Sequence, residues 1–144
     1  MEQLRKRLER SGRLFRDLVA ALTPEQLASD LGGLPSNTIG AQLWCVVGAR
    51  ESYVRAARAG SWQGFSCETW TQDTRTPADI VDVLTATAAD VAAVAADAPA
   101  NSPAETFLFD LLEHEAQHHG QLIRYMYALG IERPASWRER YALT

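Results

Sequence analysis

The chain has 144 residues, of which 47% are hydrophobic, and this length and composition are typical of one folded domain rather than of a disordered chain. Its net charge of −4 argues against a nucleic-acid-binding protein, for which a basic face is expected. No segment is apolar enough over sufficient length to cross a membrane, and the charged N-terminus does not resemble a secretory signal. Two cysteines, Cys45 and Cys67, are too few for a disulfide framework. We therefore expect a single cytoplasmic domain over residues 1–144, with no nucleic-acid or membrane partner.

The first half of the chain predicts two long helices. Apolar residues recur at helical spacing over 2–22, and Thr23 followed by a proline is a typical start of a short helical turn. A break rich in glycine and proline comes next. Asn37 or Thr38 can then cap a second long helix, which is predicted to end at about Ala59.

A loop over 61–76 separates this helix from the next one. It contains Trp62, Phe65 and Trp70, and we expect these large side chains to pack against the protein. Long packed loops are often functional, although a loop that only covers the end of a helix bundle is more common. A capping threonine and a proline then begin a third long helix, over 77–97.

The last part of the chain predicts a fourth long helix and a short one. A capping box at 102–105 begins the fourth helix, which spans about 103–129 and ends at Gly130. The residues after Pro134 predict a short C-terminal helix. Four long helices without an alternating strand pattern predict an all-α fold, specifically a four-helix bundle with a long loop between its second and third helices.

All three histidines of the chain lie within one stretch of the fourth helix, at His114, His118 and His119. His114 and His118 are four residues apart and therefore share one face, where two imidazoles can bind a single divalent ion. His119 points about 100° away from His118 and is not expected to join them. The alternative is a helix whose buried histidines are only hydrogen-bonded core residues.

Residues 114–118 also spell His-Glu-x-x-His, the zinc-protease motif, in which Glu115 would be the general base. A protease of this kind needs a third metal ligand, and downstream only Glu132 and Glu139 carry carboxylates. It typically also needs a sheet edge to hold the peptide, and the chain predicts no strands. We therefore interpret the motif as part of another kind of metal site.

The third ligand must then come from a cysteine or a carboxylate on another helix, and Cys45 lies midway along the second long helix. Residues 38–45 (TIGAQLWC) and 114–123 (HEAQHHGQLI) together resemble the DinB-like, or YfiT-like, metalloprotein family. The resemblance implies a four-helix bundle, often a homodimer, with a divalent metal such as zinc or nickel. It also implies three ligands, of which two carry over to His114 and His118.

The helix-two histidine of the family falls on Cys45 in this chain, and this is the main departure from the family pattern. A cysteine thiolate is a competent zinc ligand, and its softness favours Zn²⁺ over Ni²⁺ or Mn²⁺. Alternatively, Cys45 is a small buried hydrophobic residue and the site has lost a ligand. We expect ligation, because the replacement is itself a ligand type.

The resemblance also implies an activity, that of a metal-dependent transferase or hydrolase acting on a small molecule. Such relatives use a low-molecular-weight thiol such as bacillithiol or mycothiol. Glu115 would then accept a proton or orient a histidine, and Gln42 would face the same pocket as Cys45. Two alternatives stay open: a metal-binding protein without turnover, and an interaction bundle with a degenerate site.

Overall fold

The computed structural model describes residues 1–71 and 76–144, and within these ranges the protein consists of six helices and no strand. The helices are α1 (Glu2–Ala20), α2 (Pro24–Leu27), α3 (Ile39–Ala59), α4 (Pro77–Asp97), α5 (Pro103–Ala128) and α6 (Ala135–Tyr141). The all-α prediction is thus confirmed for the described residues, and α1 and α5 end slightly earlier than predicted. None of the helices in the described ranges combines the length and the apolar character that a membrane span requires.

The helix starts follow the side chains that the sequence offers for capping. Thr38, and not Asn37, caps α3 with its hydroxyl. The Ser102 hydroxyl caps α5 by accepting a hydrogen bond from the backbone N–H of Glu105. The capping box predicted there is wrong in its second half, because the Glu105 carboxylate accepts instead from the backbone N–H of Asn101. Glu105 thus binds the backbone of the residue before the N-cap rather than that of the N-cap itself.

The four long helices pack so that α3 lies against α4 and α5, and α1 lies against α4 and α5. Their apolar faces meet in two buried clusters. The larger cluster lies toward α6 and includes Phe15, Leu43, Leu84, Leu122 and Trp137. The smaller cluster includes Leu4, Val54, Val91, Leu108 and Leu111.

The C-terminal segment turns back onto the helices. Gly130 has a φ of 63°, a left-handed conformation that glycine adopts without strain, and it ends α5 as predicted. The backbone N–H of the next residue, Ile131, donates a hydrogen bond to the carbonyl of Met126 at 2.9 Å and so closes the turn. Trp137 of α6 is fully buried and donates its indole N–H to the carbonyl of Leu14 at 2.7 Å, which fixes α6 against α1.

The described part of the loop after α3 lies on that helix. The carboxylate of Glu51 accepts the backbone N–H groups of residues 68 and 69, and the Trp44 indole N–H donates to the carbonyl of Trp70. Trp70 is buried as expected, whereas Trp62 and Phe65 are nearly half exposed. Residues 72–75 of the predicted loop lie outside the described ranges.

Candidate metal centre

The packing of α3 against α5 brings Cys45 together with His114 and His118. One ligand atom from each side chain lies within 4.8 Å of the others. Cys45 Sγ is 3.7 Å from His114 Nε2, and the two imidazole ring centroids are 4.7 Å apart. This group could hold a metal ion, so the three residues selected from the sequence do meet at one place.

The spacing of the group fits a tetrahedral ion. Neighbouring sulfur and nitrogen ligands of a tetrahedral zinc lie roughly 3.3–3.6 Å apart for bond lengths of ~2.3 Å to sulfur and ~2.0 Å to nitrogen. The 3.7 Å between Cys45 and His114 is close to this value. The other separations, of up to 4.8 Å, are wider, so the side chains would have to rotate to bring all three atoms onto one ion. Cys45 and His114 are partly exposed and His118 is buried, so the group lies at the border of the core and the solvent.

Gln42 orients the buried histidine of the group. Its side-chain oxygen lies 2.6 Å from His118 Nδ1 and accepts the hydrogen of that nitrogen. This bond fixes the tautomer in which Nε2 carries a lone pair, as a metal ligand must. Gln42 precedes Cys45 by three residues on α3, and this spacing places both side chains on the same face of the helix.

The electrostatic environment leaves both histidines neutral at pH 7. Burial lowers the pKa of His118 to about 4, and repulsion by the neighbouring His114 adds to this shift. Burial also lowers the pKa of His114 below its ordinary value. The same physical cause raises the pKa of the Cys45 thiol, because a buried thiolate is poorly solvated. The histidines are therefore ready to bind a metal, while Cys45 must first lose its proton.

Glu115, the candidate proton acceptor, is not part of this group. It neighbours His114 in sequence, but its carboxylate turns to other helices and is almost fully buried. One oxygen accepts from Arg50 Nε at 2.6 Å, and the other accepts from the hydroxyl of Ser11. The structure thus places Glu115 in a buried ion pair between helices rather than beside the metal ligands.

His119 also lies apart from the group, as its position on the helix predicted. Its Nδ1 is 2.7 Å from the Tyr141 hydroxyl, and its Nε2 is 3.3 Å from Ser11 Oγ. Its ring packs against Phe15 and Trp137, with centroid distances of 4.3 and 5.1 Å. It is a hydrogen-bonded core histidine that joins α5 to α1 and α6.

One aromatic side chain lies beside the group, and two further aromatic contacts lie along α3 and the loop after it. The Tyr53 ring lies 6.4 Å from His114 and 5.1 Å from the ring of Trp62, between centroids. The Trp44 and Phe65 rings are 5.5 Å apart. The helical pattern of α3 alone does not connect Tyr53 with the site. Its spacing from Cys45, eight residues or about two turns, was the available signal.

Comparison with protein-family models gave no match, and comparison with curated proteins gave no significant match. The function is therefore inferred from the geometry and the chemistry of the site.

Proposed function

We propose that this protein binds one zinc ion through Cys45, His114 and His118 and uses it in a transferase or hydrolase reaction on a small molecule. The main evidence for this proposal is that these three side chains, from two packed helices, lie close together. The pairwise packing of four long helices supports a four-helix bundle, the fold of the DinB-like family that residues 38–45 and 114–123 resemble.

The donor set is the reason for choosing zinc. One thiolate and two imidazoles form a mixed soft and borderline set, which suits Zn²⁺ and disfavours the harder Mg²⁺ and Mn²⁺. Ni²⁺ is the second candidate, and the sulfur ligand makes it the weaker one. Three protein ligands are typical of a catalytic zinc site, in which the fourth position is left for water or substrate.

Such a metal, when bound, stabilises an anionic oxygen or sulfur nucleophile near neutral pH. The residues of the chain supply the remaining functions. Gln42 holds His118 in its ligand orientation through the bond to Nδ1. Trp62 and Phe65, each nearly half exposed, offer apolar surface against which a substrate can pack. We assign Glu115 to the helix packing, because both of its oxygens are already hydrogen-bonded within the protein.

A low-molecular-weight thiol is the proposed nucleophile, and a homodimer the proposed assembly. Both follow from the resemblance to the DinB-like family. Cobalt substitution tests the first of these, because the visible spectrum of Co²⁺ reports the number and kind of its ligands. Adding a small thiol to the cobalt-loaded protein should change the spectrum if the fourth position is open. An unchanged spectrum would indicate a closed site and would contradict the transferase proposal.

Metal content is the primary test of the proposal. The protein is purified without an affinity tag or chelator, and its metals are measured by elemental analysis. We expect about one zinc per chain, the stoichiometry of a single three-ligand site, and its loss in Cys45→Ala. Cys67→Ala is the matched control, because Cys67 is not in the ligand group, and it should keep the zinc. Wild-type protein that stays metal-free after zinc is offered would overturn the metal site and the function built on it.

A further inference from the structure

A cavity of about 490 Å³ lies between α1 and α4, and its lining contains none of the three candidate metal ligands. Its walls are formed by those two helices, and Arg50 and Glu115 reach it from α3 and α5. Its volume is in the range of cavities that bind small organic molecules.

Arg50 provides a buried cation with hydrogen-bonding capacity to spare. Its side chain is only 2% exposed. Nε donates to Glu115, and Nη1 donates to the carbonyl of Leu84 at 3.1 Å. Nη2 has no hydrogen-bond partner among the described residues. Every fully buried side-chain nitrogen of the described residues has a hydrogen-bond partner. Because Nη2 has none, it must retain some exposure to solvent. Arg50 lines the cavity, so the cavity is where this exposure occurs.

Arg16 points to the same place from α1. A β-carbon on Gly12 would lie 3.4 Å from Arg50 Nη2, 3.5 Å from Arg16 Nη1 and 3.6 Å from the methyl carbon of Ala88. Both guanidinium groups therefore approach one point beside Gly12, and both arginines line the cavity. Within the described ranges Arg16 has no ion pair and no hydrogen bond, so its charge is available to a ligand.

The charge balance of the cavity favours an anion. Its lining includes Arg5, Arg16 and Arg50 but only two carboxylates, Glu9 and Glu115. The Glu115 carboxylate is already bound by Arg50 and Ser11, and it therefore cannot neutralise Arg16 as well. One cationic charge in excess remains beside a low-dielectric wall, where its attraction for an anion is strong.

Apart from Thr85, the rest of the lining is apolar. Leu8 and Val91 contribute to it, together with a row of alanines on one face of α4 at Ala88, Ala92 and Ala95. Small side chains spaced by four and then three residues share one face and leave an elongated space along the helix. A ligand that fits must therefore have a charged head and an apolar body.

We propose that this cavity binds a small carboxylate with an apolar chain. The carboxylate lies between the guanidinium groups of Arg16 and Arg50, and the chain lies along the alanine face of α4. A guanidinium and a carboxylate match in geometry and form strong charge-assisted hydrogen bonds. This site is separate from the metal centre, and the inference does not depend on the proposed function.

The test uses isothermal titration calorimetry of the full-length protein with octanoate, and with octylamine and inorganic phosphate for comparison. Octanoate should bind in a one-to-one complex, octylamine should not bind, and phosphate should bind more weakly than octanoate because it has no apolar chain. Phosphate that binds as tightly as octanoate, or octylamine that binds as well, would overturn the assigned ligand class.

Variants then locate the ligand. Arg16→Gln should weaken octanoate binding roughly ten-fold or more, the usual effect of losing one charge-assisted hydrogen bond. Arg13→Gln is the matched control, since Arg13 is exposed on the same helix outside the cavity, and it should bind octanoate normally. Equal affinities in the two variants would place the carboxylate elsewhere, for instance at the metal ligands, and would overturn the proposal.

Gly12→Ala gives a second readout without removing any charge. Alanine favours a helix over glycine, and its methyl group would be in ordinary contact with both guanidinium groups. The variant should therefore keep or raise the melting temperature while octanoate affinity falls. Arg50 is left unchanged, because its removal would leave Glu115 without its buried partner. Full octanoate affinity in Gly12→Ala would contradict the placement of the carboxylate between Arg16 and Arg50.

Discussion

At the residue scale, Cys45 is the one ligand of the metal group that must change its protonation state. The pKa of its thiol is raised by burial, whereas that of His118 is lowered to about 4, so at pH 7 the thiol is protonated and this imidazole is neutral. Zinc binding should release about one proton per ion, and affinity should rise about ten-fold per pH unit between pH 6 and 8. The dependence of the binding enthalpy on the buffer's ionisation enthalpy measures this release. A release of two or more protons at pH 6, where a zinc-bound water keeps its protons, would show that the histidines are protonated in the metal-free protein.

The hydrogen bond from His118 to Gln42 makes a second prediction at this scale. Gln42→Leu keeps the side-chain volume but leaves Nδ1 of the buried imidazole without an acceptor. Loss of such a supporting partner typically lowers metal affinity about 10–100-fold. Competition with a chromogenic zinc chelator measures the change. Gln117→Leu is the control, because Gln117 is exposed on α5 outside the ligand group, and it should bind zinc with wild-type affinity. Wild-type affinity in Gln42→Leu would mean that Gln42 does not orient the ligand.

At the scale of elements, the loop after α3 depends on a close approach to that helix at Gly48. A β-carbon there would overlap Phe65 Cζ and lie 3.0 Å from Cys67 Cβ. Gly48→Ala should therefore force the loop away from α3 and lower the free energy of unfolding by about 1–3 kcal/mol, the usual effect of overpacking. Urea denaturation measures the loss, and limited proteolysis within 61–71 should become faster.

Two further variants separate this clash from the intrinsic preference for alanine in a helix. Gly120→Ala on α5 adds a methyl group in open space and should stabilise the protein by up to about 1 kcal/mol. Phe65→Ala removes the ring that Gly48→Ala would meet, so the double variant should lose less than the sum of the single losses. Equal stability of Gly48→Ala and Gly120→Ala would show that the loop does not need this approach.

At the scale of the whole molecule, the Arg50–Glu115 ion pair connects all four long helices. Arg50 comes from α3 and Glu115 from α5, while Ser11 of α1 and the carbonyl of Leu84 in α4 complete the network. Glu115→Gln would leave the Arg50 charge buried and unpaired, and we expect it to lower the free energy of unfolding by about 3–5 kcal/mol. Urea denaturation measures the loss.

Zinc content distinguishes this structural role of Glu115 from a role at the metal. Glu115→Gln should keep its zinc at temperatures where it stays folded, since the ligand group does not include this residue. The double variant Arg50→Met, Glu115→Leu replaces the pair with apolar side chains and should recover much of the stability. Wild-type stability of Glu115→Gln would show that the pair is not needed to hold the helices together.

Local sequence patterns are enough to predict the helices and two of the three residues of the candidate metal group. Helix starts depend on local capping residues such as Thr38 and Ser102, and the shared face of His114 and His118 follows from the helical repeat alone. The resemblance of 38–45 to a known family then selected Cys45 as the third ligand, and the structure brings it to within 4.8 Å of both histidines.

The directions in which Glu115 and Arg50 point follow from the packing of the helices and could not be predicted from the sequence. The helical repeat gives the angle of a side chain on its own helix but not the helix that it faces, and the partners of Glu115 are 65 and 104 residues away in sequence. In the sequence, Arg50 stands between Ala49 and Glu51 like an ordinary surface residue, yet it is a buried cation at the wall of a cavity. That cavity lies where α1 passes the alanine face of α4, and such a gap depends on how two helices are placed against each other.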